Sequence, residues 1–174
     1  GAITFRNISS DSLAFVYENT LVTADTRKRF GTHSTPRQVA EYVVGQLDLG
    51  RFDLEDITIY EPFAGAGMFL VAALRHLRDQ LPDTLTGEER HAFLVKRISG
   101  AELDSFACEV ATLSLILADY PNANGWKIAS KDLFEKDALR ADAAGKRIVL
   151  CNPPWEDFDS EERQRYPEMA AKSF

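Results

Sequence analysis

Four short stretches of this chain concentrate groups that could do chemistry, and each falls where a strand-like run ends. The last of them is Asn152-Pro153-Pro154-Trp155. Proline has no N–H and a fixed φ, so the two prolines hold the Asn152 amide and the Pro153 carbonyl outward as paired acceptors. Such acceptors suit an amino group on a planar ring, and Trp155 offers that ring a stacking face. The plainer reading is an Asn-Pro turn closing a strand. The first stretch is Glu61-Pro62-Phe63-Ala64-Gly65-Ala66-Gly67. Its glycines let the backbone turn sharply and approach a ligand closely, with a helix amino terminus behind. A tight strand-to-helix turn in any parallel α/β sheet would read the same way. Two phosphate-binding loops are excluded. A Walker loop needs Gly-Lys-Ser/Thr where the chain has Gly67-Met68-Phe69, and the dinucleotide fingerprint needs a third glycine where Leu70 stands.

Two acidic stretches lie between them. In Gly100-Ala101-Glu102-Leu103-Asp104, Glu102 sits where a carboxylate can accept both ribose hydroxyls of a nucleoside, while Asp104 suits a helix N-cap. In Ser130-Lys131-Asp132-Leu133-Phe134, Asp132 can accept from an exocyclic amine, and an apolar neighbour can cover a base. An Asp in a turn after a strand is also ordinary.

The elements that must position these residues follow from periodicity. Leu13, Val16, Tyr17 and Leu21 have helical spacing within Ser10 to Thr23, and the basic, turn-rich stretch Arg27 to Ser34 reads as a loop. Thr35-Pro36-Arg37-Gln38 has the pattern of a capping box with Pro36 at the first helical position. Val39, Ala40, Val43, Val44 and Leu47 then line one face of a helix. Ile57 to Glu61 is a β-branched strand ended by Pro62, and an apolar helix runs from Met68 to Leu81. Thr86-Gly87-Glu88-Glu89 is a second capping box. Lys96 to Glu102 reads as a strand, followed by a helix from Asp104 to Tyr120 that Pro121 stops. Trp126 to Ser130 and Arg147 to Cys151 read as the third and fourth strands, with Cys151 pointing into the core. Strands alternating with helices predict a parallel sheet with right-handed crossovers, with ligands beyond its carboxyl edge. The tail from Glu156 to Phe174 is charged and gives no element.

Composition bounds the remaining classes. The chain has 174 residues, 45% hydrophobic and 27% charged, which suits one domain with a real core. Its longest obvious apolar run, Met68 to Leu74, is far short of the roughly 20 residues of a membrane helix. Cys108 and Cys151 are far apart and lack ligand spacing with the three histidines, so no metal site and a reducing, cytoplasmic setting are expected. A net charge of −7 tells against a large basic nucleic-acid face on these residues alone. The chain opens on Gly1 with no signal-peptide pattern, which suggests a piece of a larger protein.

In their order, Thr35-Pro36, Glu61 to Gly67, Gly100 to Asp104, Asp132 to Phe134 and Asn152 to Trp155 resemble the motifs of S-adenosylmethionine-dependent DNA adenine-N6 methyltransferases. The resemblance is to the gamma class, found in modification subunits and fused restriction-modification enzymes. It implies an α/β, Rossmann-like methyltransferase fold with a parallel sheet of order 3-2-1-4 flanked by helices, truncated after the fourth strand, with an amino-terminal helix and loop segment over 1–34 and a partial methyltransferase domain over 35–174. It also implies roles. His33, Ser34 and Thr35 would meet the methionine end of the cofactor, and Glu61, Pro62, Phe63, Ala64, Gly65 and Gly67 would cradle it. Glu102 and Leu103 would hold its ribose, and Asp132 and Leu133 its adenine. Asn152 would border the cofactor and, with Pro153 and Pro154, accept the target amine, with Trp155 stacked on the flipped base. Double-stranded DNA would be gripped by the full-length parent through a target-recognition domain beyond this chain, with no membrane partner. Two features depart from the pattern. Glu102 lies 35 residues past Gly67 rather than about 20, which a helix inserted after Thr86 explains. The family's later strands are also missing, which would leave the fourth strand as an edge open to self-association and the fragment inactive alone. Protein-glutamine or RNA-guanine methylation, or a non-catalytic cofactor-binding module, are the alternatives.

Overall fold

The computed structural model describes residues 35–122, 125–154 and 160–167. The segment 10–23, the basic loop with His33 and Ser34, and Trp155 lie outside them. Four strands, β1 (Ile59–Pro62), β2 (Ile98–Glu102), β3 (Ile128–Ser130) and β4 (Ile148–Val149), form one sheet of order β3-β2-β1-β4. Every pairing is parallel, with Ile59 opposite both Ile98 and Ile148, and Glu102 opposite Ser130. The helices are α1 (Arg37–Gly45), α2 (Met68–Arg78), α3 (Gly87–Arg97), α4 (Ser105–Ala118), α5 (Ala138–Ala143) and α6 (Ser160–Arg165). None of the described helices is long and apolar enough to cross a membrane.

The core follows from the apolar pattern. Every residue of β1 is buried, as expected of a central strand in a parallel sheet covered on both faces. Helix α2 is buried from Met68 to Leu74 and again at Leu77, because α1 and α4 pack beside it. Helix α3 buries only Leu94 and depends more on its ends. Thr86 accepts from the Glu89 N–H while the Glu89 carboxylate accepts from the Thr86 N–H, so this capping box forms as expected.

Several boundaries differ from expectation. The box at Thr35–Gln38 does not form: Pro36 is the N-cap with ψ 141°, and no side chain caps the helix. The Thr35 hydroxyl is engaged elsewhere, as described below. Helix α2 ends at Arg78 rather than Leu81, and α4 ends at Ala118 rather than Tyr120. β1 begins at Ile59 and includes Pro62, and β3 begins at Ile128. β2 begins at Ile98 because α3 continues to Arg97, whose guanidinium lies over the Phe93 ring and bonds Leu54 and Glu55. β4 is the shortest strand, although Leu150 still donates to Tyr60 beyond it. Cys151 is exposed rather than core-facing. It lies beyond β4, where the run into two prolines ends the ladder and the alternation of faces. Among the described residues β4 has β1 on one side and no strand on the other.

Candidate cofactor and catalytic site

Parallel strands bring their carboxyl ends to one edge, so the four motifs meet there. At the tip of β1 the chain turns abruptly. Phe63 has φ 56°, a conformation that costs a non-glycine residue about 1–2 kcal/mol, and Gly65 and Gly67 follow with φ 50° and 79°. The turn is tied down from both sides. The Ala64 N–H donates to Ala101 O at 2.9 Å, and Gly67 N donates to Ala64 O at 2.8 Å. Pro62 is fully buried and serves as a wall of the strand rather than a contact surface.

Glu102 is buried at the tip of β2, and backbone donors hold its carboxylate. Oε2 accepts from Gly65 N at 2.8 Å, and Oε1 accepts from Leu103 N at 2.8 Å and Asp104 N at 3.1 Å. A carboxylate offers about four acceptor positions, so one remains, on Oε2. Asp104 is the N-cap of α4, accepting from Phe106 N at 2.9 Å. Glu61 lies beneath the turn, 3% exposed, and accepts from Leu70 N at 3.2 Å. Burial holds its carboxyl well above the usual carboxylate range; the Leu70 N–H opposes this, and the nearby Glu102 charge adds to it.

Asn152, just past β4, is brought to the same place. Its Nδ2 donates to Thr35 Oγ1 at 3.2 Å across 117 residues of sequence. Thr35, Glu61, Phe63, Ala64, Gly65 and Asn152 line one small hollow with Ala66 and Met68. Asn152 thus donates its NH₂ to Thr35, and its Oδ1 is the acceptor that this side chain brings to the hollow. Pro153 is exposed and Pro154 half-buried.

Asp132, beyond β3, is buried as well. Its Oδ1 accepts from Phe134 N at 3.0 Å, while Oδ2 accepts from Tyr166 Oη at 2.5 Å and Arg165 at 2.9 Å. Leu133 is not the apolar neighbour that covers a base. Its side chain is buried with Tyr60 and Ala101, and it is the Phe134 ring that stands at the edge, 5.1 Å from the Phe63 ring. Sequence reasoning missed Arg165 and Tyr166 altogether; the available signal was an aromatic residue placed within a charged tail.

Solved structures share this arrangement of strands and helices. A chain of the DrdV–DNA complex, seen by cryo-EM, aligns with a TM-score of 0.70 at 17% identity over 94% of this chain and 19% of that one. The ATP-dependent Type ISP restriction-modification enzyme LlaBIII bound to DNA aligns at 0.65 and 18% identity, over 93% of this chain and 13% of that one. A modification subunit assigned to a type I restriction enzyme of Vibrio vulnificus YJ016 aligns at 0.57 and 24% identity, over 96% and 33%. The chain therefore spans a third or less of the length of these proteins. No curated protein sequence matches it. The family profile for N-6 DNA methylase matches residues 8–172, nearly the whole chain, and by that match the chain belongs to the N-6 DNA methylase family.

Proposed function

We propose that this chain binds S-adenosylmethionine and methylates the N6 amine of adenine in double-stranded DNA, as the cofactor-binding and catalytic part of a larger restriction-modification protein in the cytoplasm. The convergence of Thr35, Glu61, Gly65, Glu102 and Asn152 at one sheet edge carries this reading. Family membership and the structural neighbours, two of them DNA complexes, support it. The division into a segment over 1–34 and a partial methyltransferase domain over 35–174 belongs to the same proposal.

The residues fit the cofactor. A Cβ built on Gly65 would meet nothing within 4 Å, so the backbone there stands open to a ligand. Glu102 keeps an acceptor position on Oε2 for a ribose hydroxyl, and Leu103 shapes that tip through its backbone. His33, Ser34 and Thr35 would meet the methionine end, with Glu61 near its ammonium. Asp132 would accept the adenine amine, with Phe134 against the ring. When bound, the cofactor supplies an electrophilic methyl group on a sulfonium.

The protein's own task is then to make a poor nucleophile better. The N6 amine is conjugated with the purine, and nitrogen becomes pyramidal and positive as it attacks. Asn152 Oδ1 and the Pro153 carbonyl accept hydrogen bonds from its N–H groups, which favours that charge in the transition state more than in the ground state. Pro154 fixes the carbonyl's direction, and Trp155 would hold the flipped base by stacking. This direct transfer uses no thiolate. Burial pushes the Cys108 thiol up to about 11, which suits a packing role. The target-recognition domain of the parent would supply the phosphate contacts that a chain of net charge −7 lacks.

Titration of the chain with S-adenosylhomocysteine tests the reading. Glu102→Ala should weaken binding about tenfold or more, since it removes a charged acceptor. Equal affinity in parent and variant would refute the site.

A further inference from the structure

Tyr166 reproduces, within the protein, two things an adenine would present at the tip of β3. It is a flat ring beside Phe134, with centroids 5.8 Å apart, and it is a hydrogen-bond donor to Asp132 Oδ2 at 2.5 Å. Arg165 adds a second donor to the same oxygen at 2.9 Å and lies 5.1 Å from the Tyr166 ring centroid. With the Phe134 N–H on Oδ1, three of the roughly four acceptor positions of this carboxylate are filled. Tyr166 is 7% exposed and the Asp132 side chain 7%, so each covers the other. Burial and the Asp132 carboxylate push the Tyr166 phenol up to about 12, so it remains a donor at neutral pH. The hold is nonetheless local. Helix α6 buries none of its own six residues, and the Arg165 side chain is 62% exposed.

We propose that Arg165 and Tyr166 occupy the nucleobase subsite of the cofactor in competition with it, and that the cofactor's adenine binds by displacing them from Asp132. The inference rests on the assignment of Asp132 to the cofactor's adenine amine. A donor on the ligand replaces a donor on the protein, and one ring replaces another against Phe134. The segment therefore acts as an internal competitor: apparent affinity is the intrinsic affinity reduced by the fraction of molecules in which Asp132 is free. Whatever draws residues 160–167 away, a neighbouring domain or bound DNA, would raise cofactor affinity without touching the cofactor.

Calorimetric titration of the chain with S-adenosylhomocysteine tests this. Tyr166→Phe keeps the ring and removes the phenol donor, and Arg165→Ala removes the ion pair; neither change opens the core. Each should tighten apparent binding severalfold, and the double variant by about tenfold, the scale of a lost hydrogen bond to a charged group. Stopped-flow association should quicken in parallel, because opening precedes binding. Unchanged or weaker affinity in the double variant overturns the inference. Adding Asp132→Ala to the double variant should then cost about tenfold. If the triple variant binds as tightly as the double, the assignment of Asp132 to the adenine amine fails, and the displacement with it.

Discussion

Gly65 and Gly67 are two residues apart in one turn, yet the structure gives them different work, and substitution separates the two roles. Gly67 holds φ 79° at the start of α2, and a Cβ there would sit 3.0 Å from Ala111 Cβ and 3.2 Å from Ala111 Cα. The second of those atoms is helix backbone, so it cannot swing aside. A left-handed non-glycine residue costs about 1–2 kcal/mol, and forcing an extra methyl into a packed contact about 1–3 kcal/mol. Gly67→Ala should therefore destabilise the fold by about 2–5 kcal/mol, a large share of the roughly 5–15 kcal/mol that holds a domain together. At Gly65, with φ 50° and nothing within 4 Å of the added carbon, only the conformational cost of about 1–2 kcal/mol applies. The added methyl, however, enters space at the hollow that Gly65 itself lines. Urea denaturation followed by circular dichroism reads stability, and titration with S-adenosylhomocysteine at a temperature where both variants are folded reads the site. Gly67→Ala should lose the more stability and keep its affinity, and Gly65→Ala should lose affinity with the smaller loss of stability. A Gly67→Ala variant with the parental denaturation midpoint but no binding would show that this glycine faces the ligand and that the packing argument is wrong.

Three further outcomes are expected. The Glu61 carboxyl is held above its unfolded value, so the fold keeps a proton that the unfolded chain releases, and stability falls as pH rises above the ordinary carboxylate range; Glu61→Gln should flatten the urea midpoint between about pH 5 and 8, and parallel curves for parent and variant would contradict this. In the full-length protein, Asn152→Ala should lose most methyl transfer from labelled cofactor while keeping cofactor affinity, and Thr35→Val should lower turnover with recovery in Thr35→Ser, since the hydroxyl orients the Asn152 amide; parental rates in Asn152→Ala and Thr35→Val would remove the catalytic assignment. Thr86→Ala breaks a complete capping box and should cost about 1 kcal/mol by urea denaturation.

What was legible in the sequence was whatever local chemistry decides alone. Parallel pairing followed from the alternation of strands and helices, the order 3-2-1-4 from the resemblance, and the meeting of motifs at one edge from strands being parallel. What was not legible turned on distant partners. Thr35-Pro36-Arg37-Gln38 and Thr86-Gly87-Glu88-Glu89 carry the same capping pattern, yet only the second forms: Pro36, with ψ 141°, is itself the N-cap of α1, and the Thr35 hydroxyl outside the helix meets Asn152 from 117 residues away. Leu133 and Phe134 are adjacent apolar residues after one Asp. The turn that Phe134 N–H makes with Asp132 sends the leucine into the core and the phenylalanine to the edge. Helices α5 and α6 bury none of their own residues, so they leave no apolar period to read. Tyr166 was invisible as a site residue for the same reason.

The placement of charge at the strand tips also explains why the phosphate-binding motifs are absent. Glu61 and Glu102 are both buried beneath or beside the glycine turn, and among the described residues neither pairs with a cation. Backbone N–H groups satisfy them, which provides hydrogen bonds without cancelling the charge of an ionised carboxylate. In a phosphate site the same amide, Gly65 N, would point at the ligand; here it is spent on Glu102. A pyrophosphate would meet negative potential at the turn and find the Gly65 amide already engaged. A ligand with hydroxyls to donate and positive charge to place would meet acceptors already fixed in position. Burial raises the Glu61 carboxyl and the Glu102 charge adds to this, and an arriving cation would oppose both effects. A neutral ribose joined to a sulfonium and an ammonium satisfies both conditions, whereas a dinucleotide offers the hydroxyls but brings the negative charge of its pyrophosphate.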